Sequence, residues 1–162
     1  MAKSVFYSFH YKRDVYRVQL VRNINALEGQ PVLNAQDWEE VRYQGDQAIE
    51  DWIDDKMKYK KAVIVLIGAE TAKRPWVQYE IEHAWKIKKP LLGIRIHGLA
   101  SLNDGADEEG PNPFDGYIPS IPVFDPTIYG LFDSGIGIDT QATYNNLTKN
   151  IEQWSSEGVT RW

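Results

Sequence analysis

Cysteine is absent from the 162 residues of this chain. That excludes a disulfide framework, a thiolate metal site and a cysteine nucleophile, and it points to a reducing, cytoplasmic setting. Histidine is scarce: His10, His83 and His97 are isolated in sequence and no His-x-x-Glu-His helix occurs, so no metal-ligand spacing is present and each reads as a structural side chain. Long apolar runs are missing too. The longest, Ala62 to Ile67, falls far short of the roughly 18 residues a membrane span needs. Met1-Ala2-Lys3-Ser4 leads straight into Val5-Phe6-Tyr7 without the apolar stretch and cleavage site of a secretory leader. Neither a membrane protein nor a secreted one is expected. There is no basic excess either: the formal net charge is -5, which argues against nucleic acid or an anionic membrane as a nonspecific partner. Lys56, Lys58, Lys60 and Lys61 alternate with Met57 and Tyr59 in the manner of a solvated helix end.

What is present is enough for one core. With 43% hydrophobic residues over 162 positions, the chain is expected to form a single domain spanning 1–162, with no room for a second. Val5 to Phe9 reads as a first strand, followed by a helix from about Asp14 to Leu27 that Glu28-Gly29 closes. Pro31-Val32-Leu33 reads as a second strand, and a helix runs from about Gly45 to Lys58 on the stripe Ala48, Ile49, Trp52, Ile53, Met57. Ala62 to Ile67 is β-branched without polar alternation, the pattern of a strand buried on both faces of a parallel sheet. A third helix opens near Trp76 behind Pro75, which suits a first turn, and continues to about Lys88. Leu91 to Ile96 reads as the fourth strand, 97–119 as a long loop and Ile121 to Phe124 as a short fifth strand. Tyr144, Leu147, Ile151 and Trp154 mark a last helix from about Thr140 to Ser155. This alternation predicts an α/β domain: a flavodoxin-like, open, mainly parallel sheet of about five strands with helices on both faces, whose ligands sit beyond the carboxyl ends of the strands. The loops after Phe9, Leu33, Ile67 and Ile96 are where chemistry is expected.

Several chemistries fail at those loops. Ser8-Phe9-His10-Tyr11-Lys12-Arg13-Asp14 follows the first strand where a P-loop needs Gly-x-x-x-x-Gly-Lys-Ser/Thr. It also lacks the hydroxyl- and glycine-rich turn that wraps a flavin phosphate. Gly135-Ile136-Gly137 lies late and lacks a dinucleotide fingerprint's third glycine. The third strand ends in Ile67-Gly68-Ala69-Glu70, without the aspartate a phosphoreceiver requires.

The motifs that remain run in order along most of the chain: Ser8-Phe9-His10-Tyr11, Val21-Arg22-Asn23, Asp37-Trp38-Glu39, Leu66-Ile67-Gly68, Arg74 with Trp76-Val77-Gln78-Tyr79-Glu80-Ile81, and Gly110-Pro111-Asn112-Pro113-Phe114-Asp115. With Trp76-x-x-x-Glu80 opening the third helix, the sequence resembles TIR domains, and more narrowly the TIR-like ThsB family of the bacterial Thoeris anti-phage defence system. The resemblance fades beyond Phe114. It implies an enzyme that cleaves NAD, as substrate and without a further cofactor, into an ADP-ribose-derived, cyclic signalling nucleotide activating a separate effector protein. It further implies a phage-derived trigger, and it is compatible with a homo-oligomer. A noncatalytic TIR-like module that binds a protein or a nucleotide is the alternative.

By this resemblance Glu80 is the catalytic position. It shares a helix face with Trp76, Ala84 and Ile87, although a glutamate there also suits the helix dipole or a pair with His83. Trp76 either stacks on nicotinamide or anchors the helix. Asn23 either faces a ribose or is a satisfied structural amide, and Phe6 and Ser8 either meet a base, ribose or phosphate or belong to the core. Arg74 is either a planar donor to a pyrophosphate or a surface arginine. Asp37 and Trp38 fall in the loop that contacts neighbours and gates substrate in TIR domains. These residues make up the expected substrate-binding set, and no metal is expected.

Overall fold

The computed structural model describes residues 3–31, 40–41, 43–101 and 105–161. In chain order these form β1 (Lys3–Ser8), α1 (Tyr11–Asn23), β2 (Leu27–Gly29), α2 (Asp46–Met57), β3 (Ala62–Ile67), a 3-10 turn (Thr71–Lys73), α3 (Pro75–Lys86), β4 (Leu91–Arg95), β5 (Val123–Phe124), the strands β6 (Tyr129–Phe132) and β7 (Gly135–Ile138), and α4 (Thr140–Trp154). Strands β2-β1-β3-β4-β5 pair in that order, all parallel. This is the flavodoxin-like winding, and its order reverses between β1 and β3.

Side-chain alternation along each strand assigns the two faces. Val5 and Tyr7 of β1, with Ala62, Ile64 and Leu66 of β3, pack under Val18 and Val21 of α1 and Leu147 and Ile151 of α4. Phe6, Val63, Val65 and Ile67 point the other way, against Ile49, Ile53 and Met57 of α2 and Val77, Ile81 and Ala84 of α3. Every residue of β3 is buried, as expected of a strand covered on both faces.

Two expectations are corrected. The second strand is Leu27–Gly29, not Pro31 to Leu33; Pro31 lies in no strand, and Val32 and Leu33 fall outside the described residues. The reason lies in the helix before it. The His10 side chain caps α1 by accepting the Arg13 amide, so the helix starts at Tyr11 and is complete by Asn23. Asn25 then turns the chain with φ 61°, leaving Leu27 free to pair. Leu27 continues the apolar spacing of Leu20 and Ile24, which made it look helical. Secondly, β6 and β7 form an antiparallel hairpin, where no element was expected between Phe124 and Thr140. Its turn needs Gly135 at φ 113°.

The segment after β4 is tied down. Arg17 donates to the Leu99 and Gly105 carbonyls, Arg95 donates to Gly110 O, and Arg13 grips Asp107 through two nitrogens at 2.8 and 2.9 Å. Gly110 lies so close to the backbone of Gly68 and Ala69 that a Cβ has no room. Residues 105–110 thus cross the end of β3 as a strap, and the open part of the strand-end surface is left on the β1 and β2 side.

Candidate active site

That open part is a cleft of about 330 Å³. Its walls come from the end of β1, the start of α1, the chain leaving β2, the middle of α2 and the first turns of α3. Phe9, Tyr11, Trp52 and Trp76 give it an aromatic lining, Lys12 and Arg74 supply positive charge, and Glu80 is its carboxylate.

Glu80 stands on the second turn of α3, where Pro75 begins the helix. It is only 8% exposed, yet it borders the cleft. Its Oε1 accepts a hydrogen bond from Ser8 Oγ at 2.9 Å. Burial pushes its pKa up from 4.5 to about 8, and the Ser8 hydroxyl pulls in the opposite direction by favouring the anion. His83 is not its partner: that ring lies 3.2 Å from Asp54 Oδ1. The same oxygen accepts the Tyr79 hydroxyl at 2.9 Å, and the Tyr79 and His83 rings stack. Tyr79 meets the Trp76 ring edge-on with centroids 5.6 Å apart, so this cluster braces the Trp76 wall.

Of the residues singled out in the sequence, Glu80, Trp76 and Arg74 line the cleft together. Arg74 is half exposed and 3.7 Å from Glu70 Oε2. Ser8 is fully buried and turned onto Glu80, so its hydroxyl serves the carboxylate. Phe6 is fully buried between β3 and the helices α2 and α3. Asn23 sits exposed at the end of α1, accepting from Gln19 at 2.9 Å. Neither Phe6 nor Asn23 borders the cleft. Asp37 and Trp38 lie outside the described residues.

The other lining residues were not among those expected, and the polar or aromatic ones that matter most are His10, Lys12, Gln30 and Trp52. His10 is 6% exposed and accepts the Arg13 amide on Nδ1. Its pKa is lowered by burial first and then by the charge of Arg74, so the ring is neutral at pH 7 and carries its proton on Nε2. The sequence signal was a polar residue just ahead of a helix, a cap. Trp52 belongs to the apolar stripe of α2, and Gln30 follows no periodicity. Among the described residues no three His, Cys, Asp or Glu side chains gather to hold a metal ion, and no helix is long and apolar enough to cross a membrane.

Without Ser8 the Glu80 carboxyl loses the bond that favours its anion. Ser8→Ala is therefore expected to move the Glu80 titration above its position of about 8. Carbon-13 NMR of side-chain-labelled glutamate reads this directly, with the Glu80 signal identified by its loss in Glu80→Gln. An unchanged midpoint would sever the link between the two side chains.

Residues 6–101 match the family model described as "Thoeris protein ThsB, TIR-like domain", well over half of the chain. The chain is also 35% identical over 120 residues, 71% of its length, to a Bacillus cereus protein named "Putative cyclic ADP-D-ribose synthase ThsB1". It spans 62% of that relative's length.

Proposed function

Since the chain belongs to the ThsB family of TIR-like domains, we propose that it is an NAD-cleaving enzyme. It opens the bond between nicotinamide and ribose and rejoins the ADP-ribose part as a cyclic signalling nucleotide, as the name of its Bacillus cereus relative suggests. That nucleotide acts on a separate effector protein, and a phage-derived trigger starts its synthesis. The observation that carries this reading is Glu80: one carboxylate in an aromatic cleft, held by a single hydroxyl.

The chemistry needs little more. Nicotinamide in NAD is a cation and leaves with the bonding electron pair as a neutral ring, so no acid has to protonate it, unlike the leaving group of an ordinary glycoside. Positive charge develops on the ribosyl carbon and its ring oxygen. An adjacent carboxylate stabilises that charge and can hold the ribose hydroxyls by charge-assisted hydrogen bonds. A nucleophile of the same molecule then takes the vacated carbon and sheds its proton, closing a ring. Water taking its place would give free ADP-ribose, so product choice follows from what the cleft excludes. Trp76 and Trp52 offer faces for the pyridinium ring, whose charge favours an aromatic surface. Lys12 and Arg74 match the diphosphate.

Glu80 must be ionised to do this, and burial alone keeps it mostly protonated at pH 7. Bringing a pyridinium cation beside it favours the anion, and the anion in turn favours the pyridinium. Two limbs are therefore expected: kcat/KM rises with pH up to about 8, and kcat rises at lower pH because the bound cation has drawn the titration down. Coincident limbs would contradict the coupling.

Nucleotide chromatography of phage-infected cells tests the function itself. Cells expressing the wild-type chain are expected to lose NAD and accumulate the new nucleotide, and cells expressing Glu80→Gln to do neither. Equal nucleotide profiles in both would overturn the enzymatic reading, and ADP-ribose as sole product would replace a synthase by a hydrolase.

A further inference from the structure

Strand β2 is too short to pair with the end of β1. The parallel register runs Lys3 to Leu27, Ser4 to Glu28 and Val5 to Gly29, and stops there. In a parallel sheet alternate residues turn their backbone groups to the same neighbour, so Tyr7, two residues after Val5, faces β2 with nothing in the strand to meet it. Gln30 fills that place with its side chain. Its Oε1 accepts the Tyr7 N–H at 2.8 Å and its Nε2 donates to the Tyr7 carbonyl at 2.8 Å, so an amide stands in for one residue of strand.

This substitution has a geometric consequence. Because the side chain finishes the pairing, the main chain leaves β1 at Pro31, and Tyr7, Gln30 and Pro31 all border the cleft. Gln30 is itself locked: Arg22 donates to its carbonyl at 2.6 Å, and Gly29 lies so tightly against the Tyr7 ring and Arg22 that a side chain there would push them aside. The next residue of β1 after Tyr7 is Ser8, whose hydroxyl meets Glu80.

We propose that Gln30 is a positioning residue for Glu80: by clamping both backbone groups of Tyr7 it fixes the end of β1, and so places the Ser8 hydroxyl on the catalytic carboxylate. The inference rests on the reading of Glu80 as catalytic. It adds that the cleft's opening and its carboxylate's orientation come from one side chain, which makes the two inseparable. An amide suits the place, since it offers a donor and an acceptor in one plane, as a peptide unit does. Buried at 3% exposure, Gln30 has no need of its polarity except here.

The test is the Glu80 carboxyl titration by carbon-13 NMR, made on the whole chain without added ligand. Gln30→Leu is expected to move the midpoint upward from about 8, in the direction of Ser8→Ala, and a Gln30→Leu, Ser8→Ala double variant to move it no further than Ser8→Ala. Gln30→Met keeps the length of the side chain, offers Tyr7 neither a donor nor an oxygen acceptor, and serves if the leucine variant does not fold; the same upward shift is expected. In infected cells both variants are expected to yield at least about tenfold less nucleotide, the scale of loss that a small displacement of a reacting group causes. A lowered melting temperature with an unshifted Glu80 titration would reduce Gln30 to a structural residue and overturn the proposal. Full nucleotide formation by Glu80→Gln would instead defeat the catalytic reading, and leave the Gln30 titration result standing as a statement about the fold.

Discussion

Glu80→Gln is expected to abolish nucleotide formation and, in the same molecule, to raise the melting temperature at alkaline pH. The first effect follows from charge. A glutamine keeps the size of the side chain and can still accept from Ser8 Oγ, but it cannot supply the negative charge that faces the developing cation, and loss of such a group costs on the order of a hundredfold to a thousandfold in rate. The second follows from linkage. The Glu80 carboxyl titrates near 4.5 when unfolded and at about 8 in the fold, so the native state binds its proton more tightly. Below pH 4.5 both states are protonated and the group is neutral in effect. Between 4.5 and 8 the unfolded chain gives up the proton and the native one holds it, so the fold is penalised increasingly as pH rises. The full penalty is on the order of 5 kcal/mol. Glutamine carries none of it. Wild type and variant are therefore expected to melt close together at pH 5, and the variant to melt about 10 to 20 °C higher at pH 8. Calorimetry at the two pH values measures this, and a difference that does not grow with pH would contradict a strained carboxylate. Such a strain is what a site built for a charge that arrives with the substrate should show.

The fold was largely legible because its signals are local. An unbroken β-branched run marked β3, Pro75 marked the start of α3, and the apolar stripes of α2 and α4 gave their extents to within a residue or two. The errors came where a signal was shared or non-local. Leu27 suits a helix and a strand equally, and only the cap at His10 decides between them. The β6 and β7 hairpin carries glycines and exposed apolar residues without a clean alternation of faces. In the site, Glu80, Trp76 and Arg74 came from the resemblance carried by one short motif at the start of α3, and the cleft brings the three together. Ser8 was noticed but its partner was not, since a contact across 72 positions has no trace in spacing. Gln30 was invisible for a related reason: it does the work of a strand with a side chain, and no periodicity describes that.

Arg17→Met is expected to cost about 3 to 5 kcal/mol of stability at pH 8, and much less of it at pH 5. Arg17 is 3% exposed and Asp14, one turn before it, is fully buried. The guanidinium lies 3.3 Å from Asp14 Oδ1 and also donates to the Leu99 and Gly105 carbonyls. Asp14 Oδ2 has no hydrogen-bond partner among the described residues, and its carboxyl fills the space where Gly68 would carry a side chain. Burial holds the Asp14 pKa up at about 6, and Arg17 is the main influence lowering it. Methionine matches the volume of the stem and removes the charge, so Asp14 must either stay ionised without a partner or hold its proton to higher pH. A raised folded pKa penalises the native state above the unfolded value of 3.8, and the penalty now continues to grow past pH 6. The destabilisation therefore deepens with pH, whereas the part due to the lost bonds to the Leu99 and Gly105 carbonyls is constant. Adding Asp14→Asn to Arg17→Met is expected to remove the pH-dependent part and leave the constant one. Denaturant unfolding at pH 5 and pH 8 separates them, and a cost independent of pH in the single variant would mean that Asp14 is not charged beside Arg17. The strap should loosen as well, so the Asp107 amide, bonded to His97 O at 2.8 Å, is expected to exchange faster with solvent. Residues 105–110 do not line the cleft. The folded fraction of the variant should thus make its nucleotide at the wild-type rate, which distinguishes a side chain that holds the domain together from those that hold Glu80.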